Sequence, residues 1–253
     1  MRIGGPALRV GVPLVVIGML SGACGSASLF RQYEYEEEMY LSLDGTATLY
    51  VNTSIAALNA LRGTRFDASP SGRFDRDVFR AYFTSPGTHV TRVTSSRRSG
   101  RRFVHIRLDV DDVRTLAAAA PFAWSTYHLD RDGEQFFYRQ DVGAAAGGDA
   151  GSVRWNGREL VAFRMHMPSK IDFHNTPTHE VGRGNILVWE QRLADRRRGE
   201  PLSIQARIQT QSILYRTLWL FGITFVAVAL LFAALIWWIL QRGKPSPHVV
   251  QQS

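Results

Sequence analysis

Apolar and polar positions follow three different rhythms along the chain. Near the C-terminus they stop alternating: Thr217–Leu240 is apolar on every side, and no charge falls between Arg216 and Arg242. At about 1.5 Å per residue this interval makes a helix of roughly 37 Å, longer than the ~30 Å hydrocarbon core of a bilayer. Lipid offers no partner to a free backbone amide, so the run predicts a transmembrane helix over 214–240. Tyr215 and Trp219 mark one interface, Trp237 and Trp238 the other, and Arg242 and Lys244 form a cationic flank. A shorter apolar run, Val10–Leu20, follows Arg2 and Arg9 and leads into Ser21-Gly22-Ala23-Cys24, the pattern of an export signal over 1–24. Three fates stay open there: acylation at Cys24, cleavage near Ala23 or Ala27, and retention as an uncleaved anchor.

Between the two runs, over 28–213, the rhythm is that of a folded domain. Period-two alternation flanking Asp44-Gly45 predicts a hairpin of Tyr33–Leu41 with Thr46–Val51. The acidic stretch Glu36–Glu38 within it reads as a solvated strand edge, since charge there discourages edge-to-edge pairing. Ile55, Leu58 and Leu61 recur at helical spacing behind Thr53 and Ser54 and before Gly63, which predicts a short capped helix. A second short helix is expected over Asp75–Phe83, with Val78, Phe79 and Phe83 on its apolar face. His89–Thr94 and Arg102–Val110 form a second hairpin about Ser99-Gly100. Asp111–Ala120 reads as a helix, and Trp124–Leu129 with Gln135–Gln140 as a third hairpin through Asp132-Gly133. Gly143–Gly151 reads as a flexible loop. It lacks the Gly-Lys-Ser/Thr ending of a phosphate-binding loop. Strands over Leu160–Met167, Lys170–Asn175, Asn185–Arg192 and Pro201–Ile208 complete an α+β fold, a mainly antiparallel sheet with short helices on one face.

Charge then sharpens the picture of where the chain sits. The formal net charge is +8, but all 22 acids lie within 25–213, and Arg2, Arg9, Arg216, Arg242 and Lys244 all flank apolar segments. Part of the basic balance is therefore a topology signal and not the footprint of a nucleic-acid binder. Cations after the span keep the tail, 241–253, cytoplasmic and place the large domain outside a bacterial cell membrane as a single-pass protein. The single cysteine excludes an intramolecular disulfide.

Candidate chemistry is sparse. His166, His174, His179 and Glu180 fit no standard metal spacing, and no serine stands in a Gly-x-Ser-x-Gly turn, so no metal, cofactor or catalytic residue is expected. An envelope hydrolase is the remote alternative. Two arginine clusters remain, Arg97, Arg98, Arg101 and Arg102 at one predicted turn and Arg196, Arg197 and Arg198 at another. Guanidinium forks match phosphate, so these are the candidate contacts to lipid head groups. The other reading of each is a solvated turn.

Met167-Pro168-Ser169-Lys170 followed by Asn185…Trp189, together with Asp44-Gly45, the leader cysteine and the C-terminal span, resembles the LppM-type domain of bacterial envelope lipoproteins. Ser169 replaces the usual glycine, Ser21 departs from the usual lipobox, and the arginine-rich insertions are long. Pro168 restricts Met167 to extended backbone and redirects the chain, and Trp189 alternates with Leu187 toward the core. The resemblance implies an extracytoplasmic α+β module with a lipid- or glycolipid-binding cavity and brings no catalytic residue. The expectation is a non-catalytic domain that binds lipid, glycolipid or another envelope component. The alternative is a structural or protein-interaction module of a membrane complex. The expected partners are membrane lipids and envelope proteins, not nucleic acid.

Overall fold

The structure, a computed structural model, describes residues 31–151 and 153–242. The leader with Cys24, the tail beyond Arg242 and Lys244 lie outside the described residues. Strands β1 (Tyr33–Leu41) and β2 (Ala47–Ser54) precede helices α1 (Ile55–Arg62) and α2 (Arg76–Phe83). Four strands follow: β3 (Thr88–Arg98), β4 (Arg101–Val110), β5 (Ser125–Asp132) and β6 (Gln135–Val142). Then come β7 (Leu160–His166), β8 (Ser169–His174), β9 (Ile186–Arg192), the short helix α3 (Leu193–Arg197), β10 (Leu202–Ser212) and helix α4 (Ile213–Arg242). The α+β class expected from the pattern holds, but the strands divide into two sheets. One has the order β3-β4-β2-β1-β7-β9 and the other β5-β6-β10-β8. All pairings are antiparallel except β1 with β7.

Local chemistry explains most boundaries. Ser54 caps α1 by accepting from the Ala57 amide, and Gly63 closes it in the left-handed conformation at φ +68°. Asp75 caps α2 in the same way through Asp77. Ser99 and Gly100, both at positive φ, make the two-residue turn between β3 and β4, the geometry whose twist matches a hairpin. Leu41 pairs with Ala47, so the first hairpin closes through residues 42–46 and not through Asp44-Gly45 alone.

Four expectations fail for physical reasons. Asp111–Ala120 forms 3₁₀ turns, Val113–Ala118 and Ala120–Phe122, with Thr115 N bonding Asp112 O and Ala119 N bonding Leu116 O, and Pro121 has no N–H with which to extend an α-helix. Val78 is exposed, and α2 buries only Phe79 and Phe83. The Leu193–Arg197 helix was not foreseen. The acidic strand is not an edge: β1 lies inside its sheet between β2 and β7. Odd positions Tyr35, Glu37, Met39 and Leu41 face the core, and Glu36, Glu38 and Tyr40 face outward. Each outward acid has a cross-strand partner, Glu36 with Arg164 at 3.1 Å and Glu38 with His166 at 2.7 Å. Both contacts are diagonal, since Glu36 lies opposite Ala162 and Glu38 opposite Arg164, and such diagonal pairs support the pairing instead of resisting it.

The core lies between the sheets. Leu49, Val51, Ile106 and Leu108 come from the larger sheet, Tyr138, Ile204, Ala206 and Ile208 from the smaller, and Ile55, Leu58 and Leu61 from α1. The Tyr138 hydroxyl reaches Met39 Sδ across the layer at 4.0 Å. Pro168 marks the corner at which the chain leaves the first sheet after β7 and enters the second at β8. Met167 N donates to Asn185 O (3.0 Å), and Asn185 Nδ2 donates to Ser169 O (2.7 Å), fastening that corner. The Met-Pro-Ser…Asn motif is therefore a change of sheets. Trp189 is buried and donates from Nε1 to Asn175 Oδ1 at 3.0 Å, a core role.

From Thr217 to Arg242, α4 is long and apolar enough to cross a membrane, and none of it is buried against the domain. Tyr215, Trp219, Trp237 and Trp238 are exposed. Arg242 sits over the Trp238 ring at 4.0 Å.

Candidate functional site

Three loops that are distant in sequence meet at one end of the larger sheet. They are the α1–α2 connection, the β3–β4 turn and the glycine-rich stretch before β7. Together they enclose an open cleft of about 1070 Å³, lined by Asn59, Thr64, Arg65, Asp67, Arg101 and Arg154 among others. The glycine-rich stretch was expected to be flexible, yet it is pinned. Gly143 N donates to Trp124 O (2.7 Å) and Ala146 N to Leu61 O (3.0 Å), the latter satisfying a carbonyl at the end of α1. At Gly148 a Cβ would meet Asn59 O at 2.2 Å and Gly63 Cα at 2.9 Å, so only glycine lets this wall approach the helix.

The cleft's acids are occupied by their own loops. Asp67 Oδ1 accepts from the Ser69 hydroxyl (2.6 Å) and amide (2.9 Å), which holds its carboxyl below the ordinary range. Asp149 Oδ1 accepts from Gly151 N at 2.8 Å. The Asn59 side chain binds Phe66 on both its carbonyl and its amide, shaping the α1–α2 connection. Arg65 and Arg154 stand exposed on the rim.

Behind the cleft lies a buried polar array. Glu37 on β1 pairs with Arg62 at 2.9 Å, with side-chain exposures of 4% and 2%. Arg62 also donates to the Tyr35 hydroxyl and stacks over Trp124. Burial raises the Glu37 carboxyl above its usual value, although Arg62 pulls it back, and burial raises Tyr35, Tyr127 and Tyr138 well above theirs. Nearby, Glu34 is the extra residue where β1 slips against β7. It is wholly buried, with Arg101 Nη1 2.9 Å from Oε1.

Of the seven arginines that the sequence offers as head-group contacts, the structure separates two kinds. Arg102 is buried and donates to Ser69 O (2.8 Å) and Gly72 O, fixing the α1–α2 connection. Arg196 is fully buried, donates to Gly143 O (2.9 Å) and Gln191 Oε1 (3.2 Å), and has its pKa lowered by burial and by Arg62. Neither guanidinium reaches the surface, so both leave the set of head-group contacts. Arg98 donates to Tyr33 O and lies over Phe103, and Arg198 pairs with Asp195 (2.5 Å) and Glu200 (2.9 Å). Arg97 is exposed, and Arg197 lies over Trp155 at 4.9 Å. Arg101 alone of the seven lines the cleft. Sequence reasoning missed Arg65 and Arg154, because each stands singly in a loop. The only signal was the small-residue stretch they flank.

The two clusters nevertheless share one pole. Arg98 and Arg101 flank the β3–β4 turn, and α3 follows β9 at Arg192, which pairs with Leu160 at the start of β7. Tyr33 pairs with the same Leu160. This pole is opposite the root of α4. Ser212, the last residue of β10, pairs with Ser169, just beyond the far end of β7. These arginines therefore stand at the end of the domain away from the helix that could cross a membrane. His166 stacks on Tyr40 and His174 binds Thr176, and among the described residues no group of His, Cys, Asp and Glu is placed to hold a metal.

No protein-family model matches this chain, and no curated protein does either. Among solved structures it is similar to the NMR structure of the folded domain of Mycobacterium tuberculosis LppM. The identity is 15% and the TM-score 0.38, over 74% of this chain and 95% of that one. That is a remote likeness to an LppM-like fold. Likeness at this level assigns neither family nor function.

Proposed function

We propose that this is a membrane-anchored envelope protein whose α+β domain binds, without catalysis, the anionic polar head of a lipid or glycolipid in the arginine-rimmed cleft. The observation that carries the reading is the cleft itself: a polar hollow of about 1070 Å³ with Arg65 and Arg154 exposed on its rim, while Arg101 in its wall is held by Glu34. It is of the size class of small-ligand sites. Guanidinium groups recognise phosphate and carboxylate in forked geometry. A non-catalytic role fits the state of the acids, since Asp67 and Asp149 are engaged by their own loops and Asp67 is held ionised. The apolar tail of such a ligand has no claim on the inter-sheet space, which side chains fill.

The test is native mass spectrometry of the full chain in detergent after extraction from its host membrane. The expected result is a co-purifying anionic lipid or glycolipid that is lost in an R65A/R154A double variant. A clean protein that also takes up no added anionic lipid would sink the reading. The second reading, a structural module of a membrane complex, is favoured by the same filled core. It predicts stable protein neighbours that survive the double substitution.

A further inference from the structure

We propose that the cleft takes its head group from a lipid surface that faces the domain, and not from the leaflet in which α4 is anchored. This rests on the reading of the cleft as an anionic head-group site and adds where that head group comes from. The first observation is distance. The cleft is built around the β3–β4 turn at Ser99-Gly100, while β3 begins at Thr88 at the other end. Eleven residues of strand, at about 3.3 Å each, make the separation roughly 35 Å. That is several times the Debye length of ~8 Å in physiological salt, so the anchoring leaflet exerts almost no pull on the rim arginines.

The second observation is the junction. β10 ends at Ser212 and α4 begins at Ile213, with no linker between them. Only 213–216 precede the apolar span at Thr217, about 6 Å of helical rise. That is about the thickness of one head-group layer. The end of the domain that surrounds the root of α4 therefore rests on the anchoring leaflet, with no tether on which the cleft could swing down.

The third observation is the charge of that end. Glu134 O accepts from Thr210 N, Asp172 accepts from Gln209 and Gln135, and Asp132 pairs with Gln135 across the turn. Asp44, Asp111 and Asp112 occupy the same end of the larger sheet, where Leu41 pairs with Ala47 and Val110 closes β4. The cations at this end are Arg114, on Asp112 at 2.8 Å, Lys170, beside Asp172 at 3.5 Å, the exposed Arg131 and Arg183, and Arg216 at the root itself. The foot is therefore of mixed charge, while Arg65, Arg97 and Arg154 stand exposed at the opposite pole. The fold sets this mixed foot against a head whose exposed arginines complement an anionic surface.

The full chain in phosphatidylcholine nanodiscs tests this, with phosphatidylglycerol vesicles added from outside and the vesicle-bound fraction read by flotation. Nanodiscs carrying the protein should float with the vesicles. The R65E/R154E variant should reduce that fraction about ten-fold, and phosphatidylglycerol placed in the nanodisc instead should not compete. Unchanged flotation in the variant, or competition from lipid in the nanodisc, overturns the proposal. Soluble glycerophosphoglycerol, titrated into the same nanodiscs, separates the two levels. Its binding without vesicle capture overturns this inference and leaves the cleft reading standing, and no binding of either ends both.

Discussion

Arg62 and Arg65 stand three residues apart and do opposite things. Arg62 ends α1 with its guanidinium sealed between Glu37, Tyr35 and Trp124. Arg65 lies past Gly63, on the exposed rim of the cleft. The same division separates the buried Arg102 and Arg196, each of which donates to a loop carbonyl, from the exposed Arg97 and Arg154. A buried guanidinium is held by its neighbours and positions loops, whereas Arg65, Arg97 and Arg154 stand exposed to solvent. Exposure alone does not free a guanidinium, since Arg198 pairs with Asp195 and Glu200 at the surface.

The comparison breaks most sharply at Arg62. R62A leaves Glu37 as a buried carboxylate without its counter-charge and should cost about 3–5 kcal/mol in urea unfolding. The pH dependence has a definite sign. Glu37 is raised above its unfolded value by burial. Its contribution therefore favours the fold most below the unfolded pKa and is lost as pH rises through the folded one. Removing Arg62 raises the folded value further. R62A should lose more stability than wild type as pH rises above the ordinary carboxylate range, and R62A/E37Q should lose that extra slope. Equal slopes in R62A and wild type would show that the pair is not coupled.

Gly148 sits between the buried and the exposed arginines, because the wall it forms joins the α1 end to the rim. G148A should cost about 1–3 kcal/mol, since the new methyl must push the loop off Asn59 O. It should also weaken ligand uptake, read by the same mass spectrometry. A fully stable G148A that binds normally would mean the wall can move without consequence. The smallest stability effects belong to the rim: R65A and R154A should unfold within about 0.5 kcal/mol of wild type while losing bound ligand. A large loss of stability in either would erase the distinction between buried and exposed arginines.

The strands were readable because period-two alternation and turn chemistry are local. Ser99-Gly100 marks one hairpin and Asp132-Gly133 another, whose turn falls one residue later at Gly133-Glu134, and the caps Ser54, Gly63 and Asp75 mark two helices. What escaped depends on partners far along the chain. Glu36–Glu38 looks like an edge until β7, well over a hundred residues later, pairs beside it and supplies Arg164 and His166. Nothing local distinguishes Arg102 from Arg97, because burial is decided by the loop at Ser69–Gly72 that folds over one of them. The cleft was unreadable for the same reason: its walls come from three separated loops, none of which carries a motif.

The unbroken passage from β10 into α4 has a mechanical consequence. β10 is an inner strand, paired with β6 over Leu202–Gln209 on one side and with β8 between Ala206 and Ser212 on the other. A tug on the helix runs along this strand and loads both rows of bonds in shear, where they share the force. The anchor is thus gripped by the middle of a sheet, and pulling it out means sliding a strand past two neighbours at once.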